Sequence, residues 1–142
     1  MRAVVAIDGS YAALHALSAF LELADEFTGK PELHLVAVID YLDLPAGLDK
    51  TPPEAPDLLA SEAATALAAA AELVEQRGRR AIAQTLRGHV VDEVLACARQ
   101  LDADIIVVGT HGRKGVQRAV LGSTCEGLIR RSDIPVLAVR KP

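Results

Sequence analysis

The sequence predicts an α/β protein built on an open five-stranded parallel sheet with helices on both faces. Three observations point to it. Five short runs of β-branched and small apolar residues recur along the 142 residues. Between them lie stretches whose apolar residues repeat at helical spacing. The runs are apolar nearly throughout, as strands covered on both faces are, and regular strand–helix alternation calls for parallel pairing. Right-handed crossovers then set every strand carboxyl end along one edge, where open sheets of this kind bind ligands. The length suits one domain, 1–142, without internal repeat. A chain of this size buries about 70% of its unfolded surface and needs no staple.

Ala3–Ile7 is the first strand, closed by Asp8-Gly9-Ser10. Tyr11–Phe27 follows as a helix, with Leu14, Leu17 and Leu21 on one stripe and Phe20, Leu23 and Phe27 beside it. Gly29-Lys30-Pro31 stops that helix, and Leu33–Ile39 is the second strand. From Asp40 to Asp57 the chain carries four of its seven prolines and no periodic apolar face, which reads as a long loop, either a plain connection or a lid. Leu58–Arg77 is rich in alanine and reads as a helix ended by Gly78. Ala81–Leu86 is a third strand of weaker pattern, and Val90–Leu101 a helix with Val91, Val94, Leu95 and Ala98 inward. Asp104–Val108 is the fourth strand, Thr124–Arg131 a helix, and Val136–Val139 the fifth strand, with Pro135 tolerated at its start.

Composition narrows the function. Nineteen acidic against fifteen basic residues, a formal net charge of -4, disfavour general binding to DNA or RNA. Two Phe, two Tyr and no Trp leave few platforms on which single-stranded bases stack. Met1-Arg2-Ala3-Val4 passes straight into a strand, and no run approaches the length of a membrane span. Cys97 and Cys125 follow no ligand or redox spacing. The expectation is a cytoplasmic protein with reduced thiols and no membrane partner.

One stretch stands out chemically. In Val107–Thr124, VVGTHGRKGVQRAVLGST, Gly109 ends a buried strand, two residues separate it from Gly112, and nine more lead to Gly122-Ser123 at a helix start. A glycine turn and a helix amino terminus thus both offer backbone N–H groups, the second with about half a positive charge. That combination suits phosphate. Arg113, Lys114 and Arg118 make the stretch locally basic in an acidic chain. Pure turn chemistry explains the glycines equally well; the hydroxyls of Ser123 and Thr124 add to the phosphate reading.

The spacing Gly109-x2-Gly112-x9-Gly122-Ser123 resembles the nucleotide-binding signature of the universal stress protein family. Ala6-Ile7-Asp8-Gly9-Ser10, Ala103-Asp104-Ile105 and Ile134–Arg140 extend the resemblance over the whole chain. It implies a Rossmann-like sheet of order 3-2-1-4-5, similar to the adenine nucleotide alpha hydrolases, and a bound adenine nucleotide, ATP with or without Mg. It further implies Asp8 at the ribose, the backbone near Val38 at the adenine edge, and Ala6 and Val108 lining the base pocket. Gly109, Gly112, Gly122, Ser123, Thr124 and Cys125 then form the phosphate end, with His111 between the glycines either touching the nucleotide or solvated. Relatives often carry Ser or Thr where Cys125 stands, and a thiol is the poorer donor. Asp8 has a second reading as a cap of the first turn. Cys125 has two, a buried filler or a thiol whose pKa the helix terminus depresses. The apolar fifth strand belongs at a sheet edge, and the resemblance implies a homodimer through it; a covered edge is the alternative.

Enzyme readings find little support. The sequence has no Walker loop, no G-x-G-x-x-G after the first strand and no G-x-S-x-G elbow. His15, His34 and His89 lie on different elements without zinc spacing and read as ordinary surface or core residues. No catalytic pair can be picked out. The expectation is therefore an ATP-binding sensor or regulator of the stress response. A dimeric interaction module without nucleotide and a slow ATPase or phosphoacceptor at Ser123 or Thr124 stay open as alternatives.

Overall fold

The computed structural model describes residues 1–40, 55–111 and 121–140. Its strands are Arg2–Ala6 (β1), Glu32–Ile39 (β2), Ala81–Arg87 (β3), Ile105–Gly109 (β4) and Val136–Val139 (β5). All pair in parallel in the order β3-β2-β1-β4-β5. Between them run the helices Tyr11–Asp25 (α1), Ala55–Gln76 (α2), Val90–Gln100 (α3) and Ser123–Arg131 (α4). The sheet grows from β1 outward to β3, then the chain crosses back to add β4 and β5 on the other side. The direction of winding therefore reverses between β1 and β4.

Alternation along the strands divides the core in two. Ala3, Val5 and Ile7 face one way with Leu33, Leu35 and Val107, and pack against Leu17, Phe20 and Leu21 of α1 and Ala66, Leu67 and Ala70 of α2. Val4 faces the other way with Val36, Ile106 and Val108, against Val91, Val94 and Leu95 of α3 and Cys125 and Leu128 of α4. The parallel, doubly covered sheet expected from the apolar runs is what forms. Burying Phe20, Leu17 and Leu21 completely contributes about 1.5–3 kcal/mol each. β3 and β5 are the edges; Ile82 of β3 is exposed, which is why the apolar pattern of that strand reads weakly.

Several boundaries differ from expectation, most by one residue. α1 ends at Asp25, not Phe27: the buried stripe stops at Ala24, while Leu23 and Phe27 are exposed, and the Glu26 N–H closes the helix onto Leu23 and Ala24. Nothing beyond Ala24 repays the order of another turn. α2 begins at Ala55, three residues before Leu58, with Pro56 in the first turn where its missing N–H is harmless. The rest of the long loop expected over 40–57, and with it any lid, lies outside the described residues except Asp40. β4 includes Gly109.

His34 and His15 make ordinary contacts away from the strand ends. His34 is buried on β2, its Nε2 2.7 Å from Glu32 Oε1, and His15 stacks on Tyr11 with ring centroids 6.0 Å apart. Burial pushes the Cys97 thiol up, against a hydrogen bond from Gln84 Nε2 that lowers it. No described helix is long and apolar enough to cross a membrane.

Candidate functional site

Three strand ends create the site. β1 runs out at Ala6, β2 at Ile39 and β4 at Gly109, and because the strands are parallel these ends lie on one edge. Past Ala6 the chain makes one more sheet bond, Ile7 N–H to Val36 C=O, then turns at Gly9 with φ 80°, a conformation that favours glycine. Asp8 Oδ1 accepts from the Ser10 N–H at 2.8 Å, and Ser10 Oγ accepts from Ala13 N–H at 3.2 Å to cap α1. The Asp8 carboxylate thus orders the turn and also lines the cavity described next. The cap itself is Ser10.

At the switch between β1 and β4 the edge opens into a cavity of about 470 Å³, within the range of small-molecule sites. Ala6, Asp8, Val38, Val108, Gly109, His111, Gly122, Ser123, Thr124 and Cys125 all line it. Gly112, Arg113, Lys114 and Arg118 lie outside the described residues. The sequence reading missed other parts of the wall. Val90 and Val94 bring the amino end of α3 to the site, Leu59, Ala63 and Ala66 bring α2, and Asp40 adds a second carboxylate just past β2. Asp40 was findable, since it follows its strand as closely as Asp8 follows β1. The helix residues were not, because only the packing says which turn of an inward stripe reaches the sheet edge.

Gly109 sits where β4 meets α1. A Cβ there would lie 2.7 Å from the Ala12 carbonyl oxygen and 2.8 Å from its carbon. The glycine is therefore required for packing, independent of any ligand. Thr110, next along, is buried and donates its N–H to Val139 C=O at 3.0 Å while its own carbonyl accepts from Gly122 N–H at 2.7 Å. This second bond ties the end of β4 to the start of α4.

α4 starts without a side-chain cap. Gly122 is the N-cap, with φ -61° and ψ 149°, and the first bond inside the helix is Glu126 N–H to Gly122 C=O. The N–H groups of Ser123, Thr124 and Cys125 precede that bond and cannot be satisfied within the helix. They stand at the wall of the cavity with the positive end of the helix dipole behind them. Ser123 is exposed, Thr124 half-buried and Cys125 buried. Burial pushes the Cys125 thiol up, the direction opposite to the depressed, reactive thiol considered from sequence. Cys125 packs with Val4, Val91 and Leu128 as a filler.

This fold and this edge define an α/β protein with a cavity at the topological switch point of a parallel sheet, walled by aliphatic side chains and one helix amino terminus. The sequence model of the universal stress protein family matches residues 1–140. The chain belongs to that family. Universal stress protein MJ0531 of Methanocaldococcus jannaschii is 32% identical over 142 residues, covering 98% of this chain and 81% of the relative. The solved structure of MJ0577, from the same organism, superposes with a TM-score of 0.83 at 25% identity, covering 99% of this chain and 96% of that one. A universal stress protein solved with cAMP has a TM-score of 0.72 at 24% identity, with 98% and 96% of the chains covered. One from Archaeoglobus fulgidus solved with dAMP has 0.70 at 23% identity, covering 97% and 96%. At those identities the last two likenesses speak for the fold.

Proposed function

We propose that this chain binds adenine nucleotides, ATP among them, in the cavity at the β1–β4 switch, and that it serves as a nucleotide-responsive regulator of the stress response. The observation that carries the reading is the pairing of two unlike walls around one cavity. Ala6, Val38, Val90, Val94 and Val108 offer an aliphatic wall for a base, and the uncapped first turn of α4 offers three N–H groups for phosphate. Asp8 lines the same cavity, and its carboxylate would accept from a ribose hydroxyl. Family relatives solved with cAMP and dAMP support the class of ligand.

Charge-assisted hydrogen bonds contribute roughly 1.5–3 kcal/mol each, and association costs about 4–15 kcal/mol. The balance favours a dissociation constant in the micromolar range, about -8 kcal/mol. Among the described residues no three His, Cys, Asp or Glu side chains gather to hold a metal. Mg would therefore arrive on the phosphates, as that ion commonly does. β5 is an uncharged, half-buried edge strand, and pairing with the β5 of a second copy would remove its unpaired backbone groups. Two buried free cysteines suit the cytoplasm.

The test is mass spectrometry of the small molecule released from freshly purified protein, followed by calorimetric titration with ATP, ADP and AMP. An adenine nucleotide in the first and micromolar binding in the second are expected. No binding of any of the three overturns the reading and leaves the interaction module. Incubation with labelled ATP separates plain binding from hydrolysis and from transfer to Ser123 or Thr124. Sedimentation equilibrium tests the homodimer.

A further inference from the structure

The Thr110–His111 pair sits where the cavity meets the end of β4, and the nucleotide reading gives Thr110 no role. Thr110 is one of two buried polar side chains among the described residues, the other being His34. Its Oγ1 lies 3.0 Å from His111 Nδ1, and His111 lines the cavity. Both backbone groups of Thr110 are engaged, to Val139 and Gly122, so the residue holds still in three directions.

We infer that Thr110 is a positioning residue: its hydroxyl fixes His111 as the Nε2–H tautomer, so that the neutral imidazole donates a hydrogen bond to an acceptor oxygen of the bound ligand. The inference rests on the proposed nucleotide reading for the identity of that ligand. The direction of the bond follows from counting donors. A buried hydroxyl must place its proton on an acceptor. Among the described residues His111 Nδ1 is the partner of Thr110 Oγ1. Were Nδ1 protonated, it would donate to Oγ1 and leave the buried hydroxyl proton without an acceptor among the described residues, which costs more than the bond returns. The hydroxyl therefore donates, Nδ1 accepts, and the ring's one proton sits on Nε2. That leaves Nε2–H as the ring's donor. The arrangement parallels metal sites, where an outer hydrogen bond selects the nitrogen that faces the ligand.

Two measurements test it. The first is the imidazole ¹⁵N spectrum of the ligand-free full chain at about pH 8.5, where histidine is ordinarily neutral. Protonated Nε2 and bare Nδ1 are expected for His111, a mixture in Thr110→Val, and the wild-type pattern again in Thr110→Ser. A wild-type ring protonated at Nδ1 overturns the inference. The second is ATP titration at the same pH. Thr110→Val is expected to bind about three- to tenfold more weakly, the effect of one neutral hydrogen bond, with Thr110→Ser close to wild type. In a His111→Ala background Thr110→Val should then cost nothing further. An equal loss in both backgrounds means that Thr110 acts through the fold and not through His111, and ends the proposal. If wild-type protein binds no ATP, the nucleotide reading falls, while the spectrum still judges the tautomer.

Discussion

Gly109→Ala is the sharpest test of how this site is built. The added methyl would stand 2.7 Å from the Ala12 carbonyl oxygen, 2.8 Å from its carbon and 3.2 Å from its Cβ. The two nearest atoms are backbone, in the first turn of a helix whose amino end is pinned by Ser10 and Asp8. No rotamer change relieves them, so β4 and α1 must part by several tenths of an ångström. Overpacking of this kind costs about 1–3 kcal/mol. For a chain of this size each kcal/mol moves the midpoint by roughly 3–5 °C. Thermal melts and urea titrations of ligand-free protein should therefore show a midpoint lower by about 3–15 °C with the urea m-value unchanged. Removing the Ala12 methyl as well, in Gly109→Ala/Ala12→Gly, should not restore stability, because the main clash is with the Ala12 backbone. Stability of Gly109→Ala within about 0.5 kcal/mol of wild type would refute the close approach, and rescue by Ala12→Gly would refute its cause.

Gly122→Val should separate binding from folding. Its φ of -61° and ψ of 149° suit any residue, so melts should stay near wild type while ATP affinity falls about tenfold or more as a side chain intrudes on the phosphate wall; unchanged affinity counts against that wall. Both thiols are buried and held above their ordinary range, chiefly by desolvation, so a disulfide reagent at about pH 7.5 should react slowly with native protein and quickly with both in denaturant; rapid labelling of native protein at Cys125 would revive the reactive-thiol reading. Glu32 is held below the ordinary carboxylate range, first by its hydrogen bond with His34. A depressed folded pKa adds stability that is present above the unfolded value and lost as pH falls through the folded one. Glu32→Gln should flatten that part of the acid limb of a stability–pH curve, and an unaltered limb would show that the pair does not couple to folding.

Most of the architecture was legible because it rests on local patterns. Apolar runs of strand length, each followed by helical periodicity, leave few topologies once parallel pairing and right-handed crossovers are imposed. The site was legible as far as it sits at strand ends: Asp8 and Gly109 are read off where a run stops. What could not be read depends on distances between elements. Phe27 looks like a core residue until the packing shows that the stripe of α1 is satisfied at Ala24. For Cys125 the sequence left a buried filler and a depressed thiol both open, and the desolvation that raises the thiol depends on its place in the core cluster with Val4, Val91 and Leu128.

The residues alone thus determined the parallel sheet, the edge on which a ligand would sit and the glycine spacing that marks it, because hydropathy period and turn chemistry act within a few residues of each other. Tertiary structure alone decided that Gly109 is needed against Ala12, that α3 and α2 close the cavity, and that Thr110 joins β5, α4 and His111 in one residue. Those are contacts between segments far apart in the chain, and their ångström-scale distances are set only when the helices settle onto the sheet.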